Sequence, residues 1–522
     1  MEAFAELLSR LSTASQRNAK LRLLEQYFRS TPDPDRGWAL AALTDGLPFS
    51  FPMRRILGEI LTPHIDPVLF QLSRDYVGDT AETVALLWPG DAVGEPPTLS
   101  GIIAQVTQAS NRELPQVVAR LLTRLDANGR WGFLKFLGGA LRVGVSARLA
   151  KVALAETFGT GVEEIEEVWH GVSPPFDDLF QWLDGRAARP DLSQRPIFRP
   201  VMLAHPIEEA DWATLHPDDV VAEWKWDGIR IQIVSVAGSV RIYSRAGDDI
   251  SPAFPDIVAS FIGKEGVLDG ELLVVRDGIV QPFNDLQQRL NRKTVTAKML
   301  ESYPAHVRLY DLLIDGRDDV RAMPFEERRK RLEECFGRLG PSRADISEIV
   351  PVTDFAVLNE RWAAARENGI EGLMLKRKAS PYLSGRPKGH WYKWKRAPLT
   401  ADCVLMYAQR GSGKRSSFYS DYTFGAWNGG ELVPVGKAYS GFTDDELRDL
   451  DRWIRNNTVE RFGPVRAVRQ QLVFEVAFDA VQASSRHKSG IAMRFPRIHR
   501  IRWDKPAAEA DRLESLKALL PA

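Results

Sequence analysis

The sequence predicts a multidomain chain with an all-α N-terminal segment, a mixed α+β middle domain and a small C-terminal β-barrel. Three textures along the chain predict it. Before about residue 170, apolar residues recur at three- and four-residue spacing. From about 201 to 396, β-branched runs alternate with helical patterns. From about 397 to 505, short strand-like runs are cut by glycine turns. At 522 residues the chain is too long for one ordinary core, so two to four domains are expected. The boundaries read as 1–190 for the helical domain with its linker, 200–396 for the α+β domain and 397–522 for the barrel.

In the first segment, Phe4, Leu7, Leu8 and Leu11, and later Val118, Leu121, Leu122 and Leu125, mark helical faces. Ser173-Pro174-Pro175, Arg189-Pro190, Arg195-Pro196 and Arg199-Pro200 punctuate residues 173–200. Proline blocks helix continuation, so this stretch is expected to be an extended linker. Residues 230–236 and 239–243 form paired strands around a Gly238 turn. Further strands are expected at 267–268, 271–275 and 307–313, and an amphipathic helix from Phe325 to Leu339. In the last segment a helix is expected near Asp444–Asn456, among short strands.

Hydrophobic residues make up 44% and charged residues 26%, as in ordinary globular proteins. The net charge is zero, so no global basic signature points to nucleic acid, although local basic stripes remain open. Two cysteines, Cys335 and Cys403, give no disulfide framework and no four-thiolate zinc site. The N-terminus lacks the basic flank and apolar run of a signal peptide, and no stretch approaches the roughly 18–20 apolar residues of a membrane span. A cytoplasmic protein is expected, acting as a monomer and away from membranes.

Chemistry concentrates in an ordered set of motifs. In Glu223-Trp224-Lys225-Trp226-Asp227-Gly228-Ile229-Arg230, a lysine at a strand end precedes a glycine turn and an arginine that leads the next strand. That order puts an amine and a guanidinium in one pocket. A neutral lysine amine can attack phosphorus, and nearby cations or partial burial free its lone pair. Alone, Lys-x-Asp-Gly is as readily a surface lysine beside a tight turn. It is followed, however, by Ser244-Arg245-Ala246-Gly247, Leu268-Asp269-Gly270-Glu271-Leu272 (a carboxylate at a strand start), Glu371-Gly372-Leu373-Met374-Leu375-Lys376, and Trp391-Tyr392-Lys393-Trp394-Lys395. In the last of these, two lysines share a strand face. Arg500-Ile501-Arg502-Trp503-Asp504-Lys505 closes the series. Any one of these residues has a bland reading: a solvated carboxylate for Glu271 or Glu371, a core ring for Tyr310, an exposed strand face for the two lysines.

From about residue 120 to 505 the set resembles the covalent nucleotidyltransferases, and within them the ATP-dependent DNA ligases of bacterial type with a helical DNA-binding domain. The resemblance implies a nucleotidyltransferase (adenylation) domain at 200–396 and an OB-fold barrel at 397–522. It implies nick sealing in double-stranded DNA in three steps: Lys225 takes AMP from ATP, AMP passes to the 5′-phosphate, and the 3′-hydroxyl displaces AMP. DNA repair, with replication and recombination, is the implied setting.

The same resemblance implies residue roles. Glu223 would lie against the exocyclic amine of adenine, and Tyr310 would stack on the ring. Arg230 and Arg245 would contact ribose and phosphate, or the DNA 5′-phosphate. Glu271 would hold a ribose hydroxyl or a metal, and Glu371 a metal. Lys393 and Lys395 would face the α-phosphate, with Arg386 as a further nucleotide clamp. Arg494, Asp504 and Lys505 would orient pyrophosphate. Hard oxygen ligands suit Mg²⁺, with Mn²⁺ the alternative. The loop holding Arg142 and Gly144, ahead of a helix capped by Ser146, would grip DNA phosphates.

Other readings predict other features. An mRNA capping enzyme would use GTP and lack the long helical region. An RNA ligase would be shorter and differ at the C-terminal end. An NAD-dependent ligase would carry a zinc module. A non-catalytic nucleic-acid scaffold would have lost some of the six motifs. Gly411-Ser412-Gly413-Lys414-Arg415-Ser416 imitates a Walker loop, but position 408 is alanine and no clear helix follows.

Overall fold

A computed structural model describes residues 1–139, 141–290, 292, 294–364, 370–395, 398–410, 419–439, 443–463, 465–485 and 487–520. Up to Leu183 the described residues form helices, beginning with Glu2–Thr13 and Arg17–Ser30. The apolar stripes read from the sequence are the buried ones. Phe4, Leu7, Leu8 and Leu11 are buried, as are Val118, Leu121, Leu122 and Leu125. The chain divides into two compact units, one of residues 1–157 with 397–522 and the other of residues 158–396.

The expected extended linker at 173–200 contains a helix, Asp177–Leu183. Leu179, Phe180 and Leu183 bury one face of it, and Asp177 and Asp178 complement the positive end of its dipole. Proline pairs on either side limit its length without preventing it. The chain then runs without regular structure to the first strand of the next sheet.

Unit 158–396 is built on two sheets. The strands used below are β1 (Val220–Trp226), β2 (Ile229–Val236), β3 (Ser239–Ser244), β4 (Gly266–Arg276), β5 (Ala305–Asp315), β6 (Ala344–Ile346), β7 (Ile349–Val350), β8 (Ile370–Arg377) and β9 (Trp391–Lys395). In the first sheet the order is β9-β8-β1-β7, with His205–Pro206 pairing along β9. The second runs β3-β2-β4-β5, extended by β6 along β5. β1 and β2 are consecutive in sequence yet belong to different sheets. The turn at Asp227-Gly228 therefore crosses from one sheet to the other. Met202, Val234, Val267, Leu313, Tyr382 and Trp391 form an apolar plug that joins the sheets at one end. Each large apolar side chain in such a plug contributes about 1.5–3 kcal/mol on burial.

The two strand pieces expected at 267–268 and 271–275 are one continuous strand, β4, and Glu271 sits inside it rather than at its start. Asp-Gly ordinarily signals a turn. Here Gly270 serves close packing instead: a Cβ would lie 2.7 Å from Val307 Cγ1 and 3.0 Å from Arg308 O on β5. The 230–236/239–243 hairpin is as expected. Ala237 and Gly238 both adopt positive φ, as a two-residue hairpin turn demands. The helix Phe325–Leu339 has the expected limits.

The C-terminal region is strand-rich and antiparallel. Leu399–Arg410 is central, flanked by Tyr419–Asn428, Val465–Val468 and Val473–Phe478; the last of these pairs with Arg497–Arg502. The expected helix is Asp444–Asn457, started by a capping box between Thr443 and Glu446. The imitation Walker loop at 411–416 lies outside the described residues.

Candidate active site

Register places the motif residues on one face. Across β1, β8 and β9, Lys225 pairs with Gly372, which pairs with Lys395; one row along, Glu223 pairs with Met374, which pairs with Lys393. Period-two alternation then turns Lys225, Lys393 and Lys395 to the same side. The second sheet offers Arg230, Asp269, Glu271, Arg308 and Tyr310, with Arg230 paired to Glu271 and Glu271 to Arg308.

Lys225 donates to Glu371, which also receives Lys395 at 3.2 Å. Burial alone would raise the Glu371 carboxyl. The charges of Lys225 and Lys395, with the hydrogen bond from Lys225, outweigh it and hold Glu371 at about 2. Glu271 goes the other way: burial pushes it up to about 8 against the pull of Lys225 and Arg230, with Glu371 and Asp227 adding to the rise. Two carboxylates beside one lysine thus sit at opposite ends of the scale. Lys393 is lowered by burial, then by the charges of Arg386, Lys395, Lys225 and Arg245. That set brings five of the expected cations, from two strands and two loops, into one field.

Arg230 is tied down more firmly than the sequence suggested. Its Nη1 donates to Met202 O, and its Nη2 to Asp269 Oδ2 at 2.6 Å and to the Tyr382 hydroxyl at 3.0 Å. Tyr382 in turn donates to Asp269, which is fully buried. Arg230 Nε is buried and has no hydrogen-bond partner among the described residues. A buried donor of this kind costs free energy until an acceptor arrives. Tyr310 lies beside it, with the Arg230 guanidinium 5.8 Å and the Lys376 ammonium 4.7 Å from its ring centre.

Glu223 is 2% exposed, and each of its carboxylate oxygens meets one cation. Arg329 Nη1 donates to its Oε1 at 3.0 Å, and Lys376 pairs with its Oε2. Lys376 is itself buried against the rings of Tyr310, Phe325 and Trp391, each within 4.7 Å. Burial lowers its pKa, opposed by Glu223 and Asp311. A cavity of about 390 Å³ opens among Trp224, Trp226, Arg308, Asp345, Ile346, Glu348 and Ile370. Arg308 stacks 4.4 Å over the Trp226 ring and forks onto Asp345 at 2.9 and 2.8 Å.

Arg245 is exposed in the turn after β3, where Gly247 passes under His170: a Cβ there would meet the imidazole at 2.3 Å. Arg386 is also exposed, and its carbonyl lies 3.0 Å from His205 Nε2. In the other unit, Arg494 lies 5.5 Å from the centre of the Phe495 ring. Asp504 is gripped by Arg502 at 3.0 and 2.9 Å, which holds it at about 2, and Lys505 donates to Asp402 at 2.7 Å. At the Arg142 loop both Arg142 and Gly144 adopt positive φ, and Lys20 donates to the carbonyls of Val143 and Gly144. Ser146 caps the helix Ala147–Phe158 by accepting from Leu149 N at 3.2 Å, as expected.

Sequence reading missed Asp269, Lys376, Tyr382, Arg329 and Lys20. Asp269 and Lys376 stood inside quoted motifs and could have been found by period two from Glu271 and Met374. Tyr382, Arg329 and Lys20 carried no local signal.

A family model described as "ATP dependent DNA ligase domain" matches residues 201–395, and one described as "ATP dependent DNA ligase C terminal region" matches residues 415–505. A "Probable DNA ligase" of Koribacter versatilis is 36% identical over 424 residues, covering 76% of this chain and 73% of that protein. "DNA ligase 1" of Korarchaeum cryptofilum is 31% identical over 407 residues, covering 76% and 71%. The solved structure Pmar-Lig_PreS3 overlays 96% of this chain and 99% of its own with a TM-score of 0.64 at 16% identity, a likeness of fold. Among the described residues no helix is long and apolar enough to cross a membrane. With two family models spanning most of its last three hundred residues and relatives matched across more than two thirds of their length, the chain belongs to the ATP-dependent DNA ligases, enzymes that form phosphodiester bonds.

Proposed function

We propose that the chain seals nicks between a 5′-phosphate and a 3′-hydroxyl in duplex DNA, with Lys225 as the nucleophile. The observation that carries this reading is the Lys225–Glu371–Lys395 ion-paired row, with Lys393 beside it, across β1, β8 and β9 of the first sheet. The Lys225 nitrogen bonds to the α-phosphorus of ATP while the bond from that phosphorus to the bridging oxygen breaks, releasing pyrophosphate. Lys393, Lys395, Arg245 and Arg386 stabilise the negative charge that develops on the transferring phosphate. The adenylate then passes to the 5′-phosphate of the nick, and the 3′-hydroxyl displaces AMP.

Arg230 Nε, lacking a partner, suits an acceptor on the ribose. Glu271, held as a neutral acid by burial, suits a ribose hydroxyl better than a cation. Glu371 stays ionised and is a hard oxygen donor, so it would be the residue to hold a Mg²⁺ ion. Such an ion would add positive charge at the phosphate. Arg142, Gly144 and the capped helix behind them grip backbone phosphates, and Arg494, Asp504 and Lys505 attend the pyrophosphate. The functional division runs 1–190, 200–396 and 397–522, in the service of DNA repair.

The test incubates the protein with α-labelled ATP and Mg²⁺, then adds nicked duplex. An acid-labile protein–AMP adduct that discharges on nicked DNA is expected, and Lys225→Ala should form none. An adduct that persists in Lys225→Ala removes the assignment.

A further inference from the structure

The two cations on Glu223 differ in what they can do. Lys376 is a point charge confined by three rings, whereas Arg329 is a planar fork whose every edge is used. Arg329 Nη1 donates to Glu223 Oε1 at 3.0 Å, Nη2 to Ser347 O at 2.7 Å, and Nε to Glu333 Oε1 at 2.8 Å. Ser347 lies in the two-residue link between β6 and β7, and β7 pairs with β1 at Glu223 itself. One guanidinium therefore ties the helix Phe325–Leu339, the approach to β7 and the Glu223 carboxylate into a fixed frame.

An ionised carboxylate has about four acceptor positions and no donor. Arg329 and Lys376 take one on each oxygen of Glu223, which leaves acceptor capacity on both. A carboxylate locked in this way can welcome an amine and must repel a carbonyl. Adenine carries an amine at C6; hypoxanthine and guanine carry a carbonyl there. We infer that Arg329 is a positioning residue for base selection, holding the Glu223 carboxylate in a fixed orientation so that the site takes ATP and rejects 6-oxopurine triphosphates. The inference rests on Glu223 being the base contact.

Removing Arg329 leaves a buried carboxylate with one partner. Such a group turns, or takes up a proton, and a protonated carboxyl donates to a carbonyl. Discrimination should then fall even where Lys225 chemistry survives. The experiment measures self-adenylation of the full chain with ATP and with ITP, and compares the ratio of kcat/KM for the two. Arg329→Met is expected to lower the ATP-over-ITP ratio by at least ~10-fold, part of the large penalty that sites built around a hydrogen bond impose on the wrong partner. An unchanged ratio, or equal losses with both nucleotides, overturns the proposal, because a purely structural role moves both together. If Arg329→Met does not fold, Arg329→Gln, which keeps donors but loses the charge and the fork, is read by the same ratio and the same criterion. Glu223→Gln separates the two levels. A ratio unchanged in Glu223→Gln refutes Glu223 as the base contact, whereas a fall in Glu223→Gln without one in the Arg329 variants refutes the role of Arg329 alone.

Discussion

Arg230, Asp269 and Tyr382 form a buried trio in which each member satisfies the others. Asp269 accepts from both Arg230 and Tyr382, and Tyr382 also accepts from Arg230. A buried ion pair adds little against an apolar replacement, but removing one partner strands the other charge. Asp269→Ala is therefore expected to destabilise unit 158–396 by about 3–5 kcal/mol. Tyr382→Phe, which deletes one neutral hydroxyl and leaves the ion pair, should cost about 1–2 kcal/mol. The double variant should lose less than the sum, because the two changes share partners. Urea unfolding followed by tryptophan fluorescence measures all three, and strict additivity would mean that the trio is not a unit. The same residues explain why Arg230 could be named from sequence while its restraint could not. Lys225 and Arg230 stand five apart in one motif, but Tyr382 lies more than a hundred and fifty residues away.

At the level of elements, the turn between β1 and β2 carries the most constraint. Gly228 passes so near β4 that a Cβ would lie 2.5 Å from Leu272 O, 2.8 Å from Glu271 Cγ and 2.8 Å from Leu273 Cδ2. A backbone carbonyl inside a sheet cannot yield as a side chain can. Gly228→Ala must push the turn off β4, shifting Lys225 and Glu271 relative to each other. A displacement of about 1 Å at a reacting group costs roughly 100-fold in rate, so adduct formation should fall by about that factor while the circular dichroism spectrum is retained. Gly238, at the tip of the next hairpin with nothing within 4 Å of a Cβ, is the matched control. Gly238→Ala strains a positive φ, at about 1 kcal/mol, and should adenylate normally. If both variants adenylate equally, close approach at Gly228 is not what matters. Hairpins and amphipathic helices were legible because their periods are local. Two elements misled for the same reason: Asp269-Gly270 split into two short strands what is one continuous strand packed closely on β5, and the prolines around 173–200 concealed the helix Asp177–Leu183. The helix Phe325–Leu339 was placed correctly, yet its charged face hid its purpose. Arg328 and Arg329 are buried and bind Asp311 and Glu223, partners that no periodicity within the helix announces.

For the molecule as a whole, the compact division falls at residue 158 and not at the proline-rich stretch. Residues 158–200 are bound to the two-sheet core at several points. Glu167 accepts a fork from Arg321, His170 packs over Gly247, Tyr243 donates to Pro196 O, and the Arg199 backbone exchanges hydrogen bonds with Gln232. A chain starting at 158 keeps all of these, whereas one starting at 191 loses Glu167, leaving Arg321 only Asp319, and loses the His170 ring over Gly247. The first truncation should therefore self-adenylate near the full-length rate, and the second should be unstable and slow. Nick sealing should suffer in both, if the helical region grips phosphates through Arg142 and its neighbours. That loss has its own signature, because each phosphate contact removed flattens the slope of log K against log salt by about 0.9. Fluorescence anisotropy on a nicked duplex across a salt series reads the slope, and labelled ATP reads adenylation in the same preparations. Equal adenylation defects in the two truncations would place the working boundary before 158. A salt slope unchanged from full length would remove the helical region from the phosphate grip, and Lys20, which holds the carbonyls of Val143 and Gly144, would then serve only the fold.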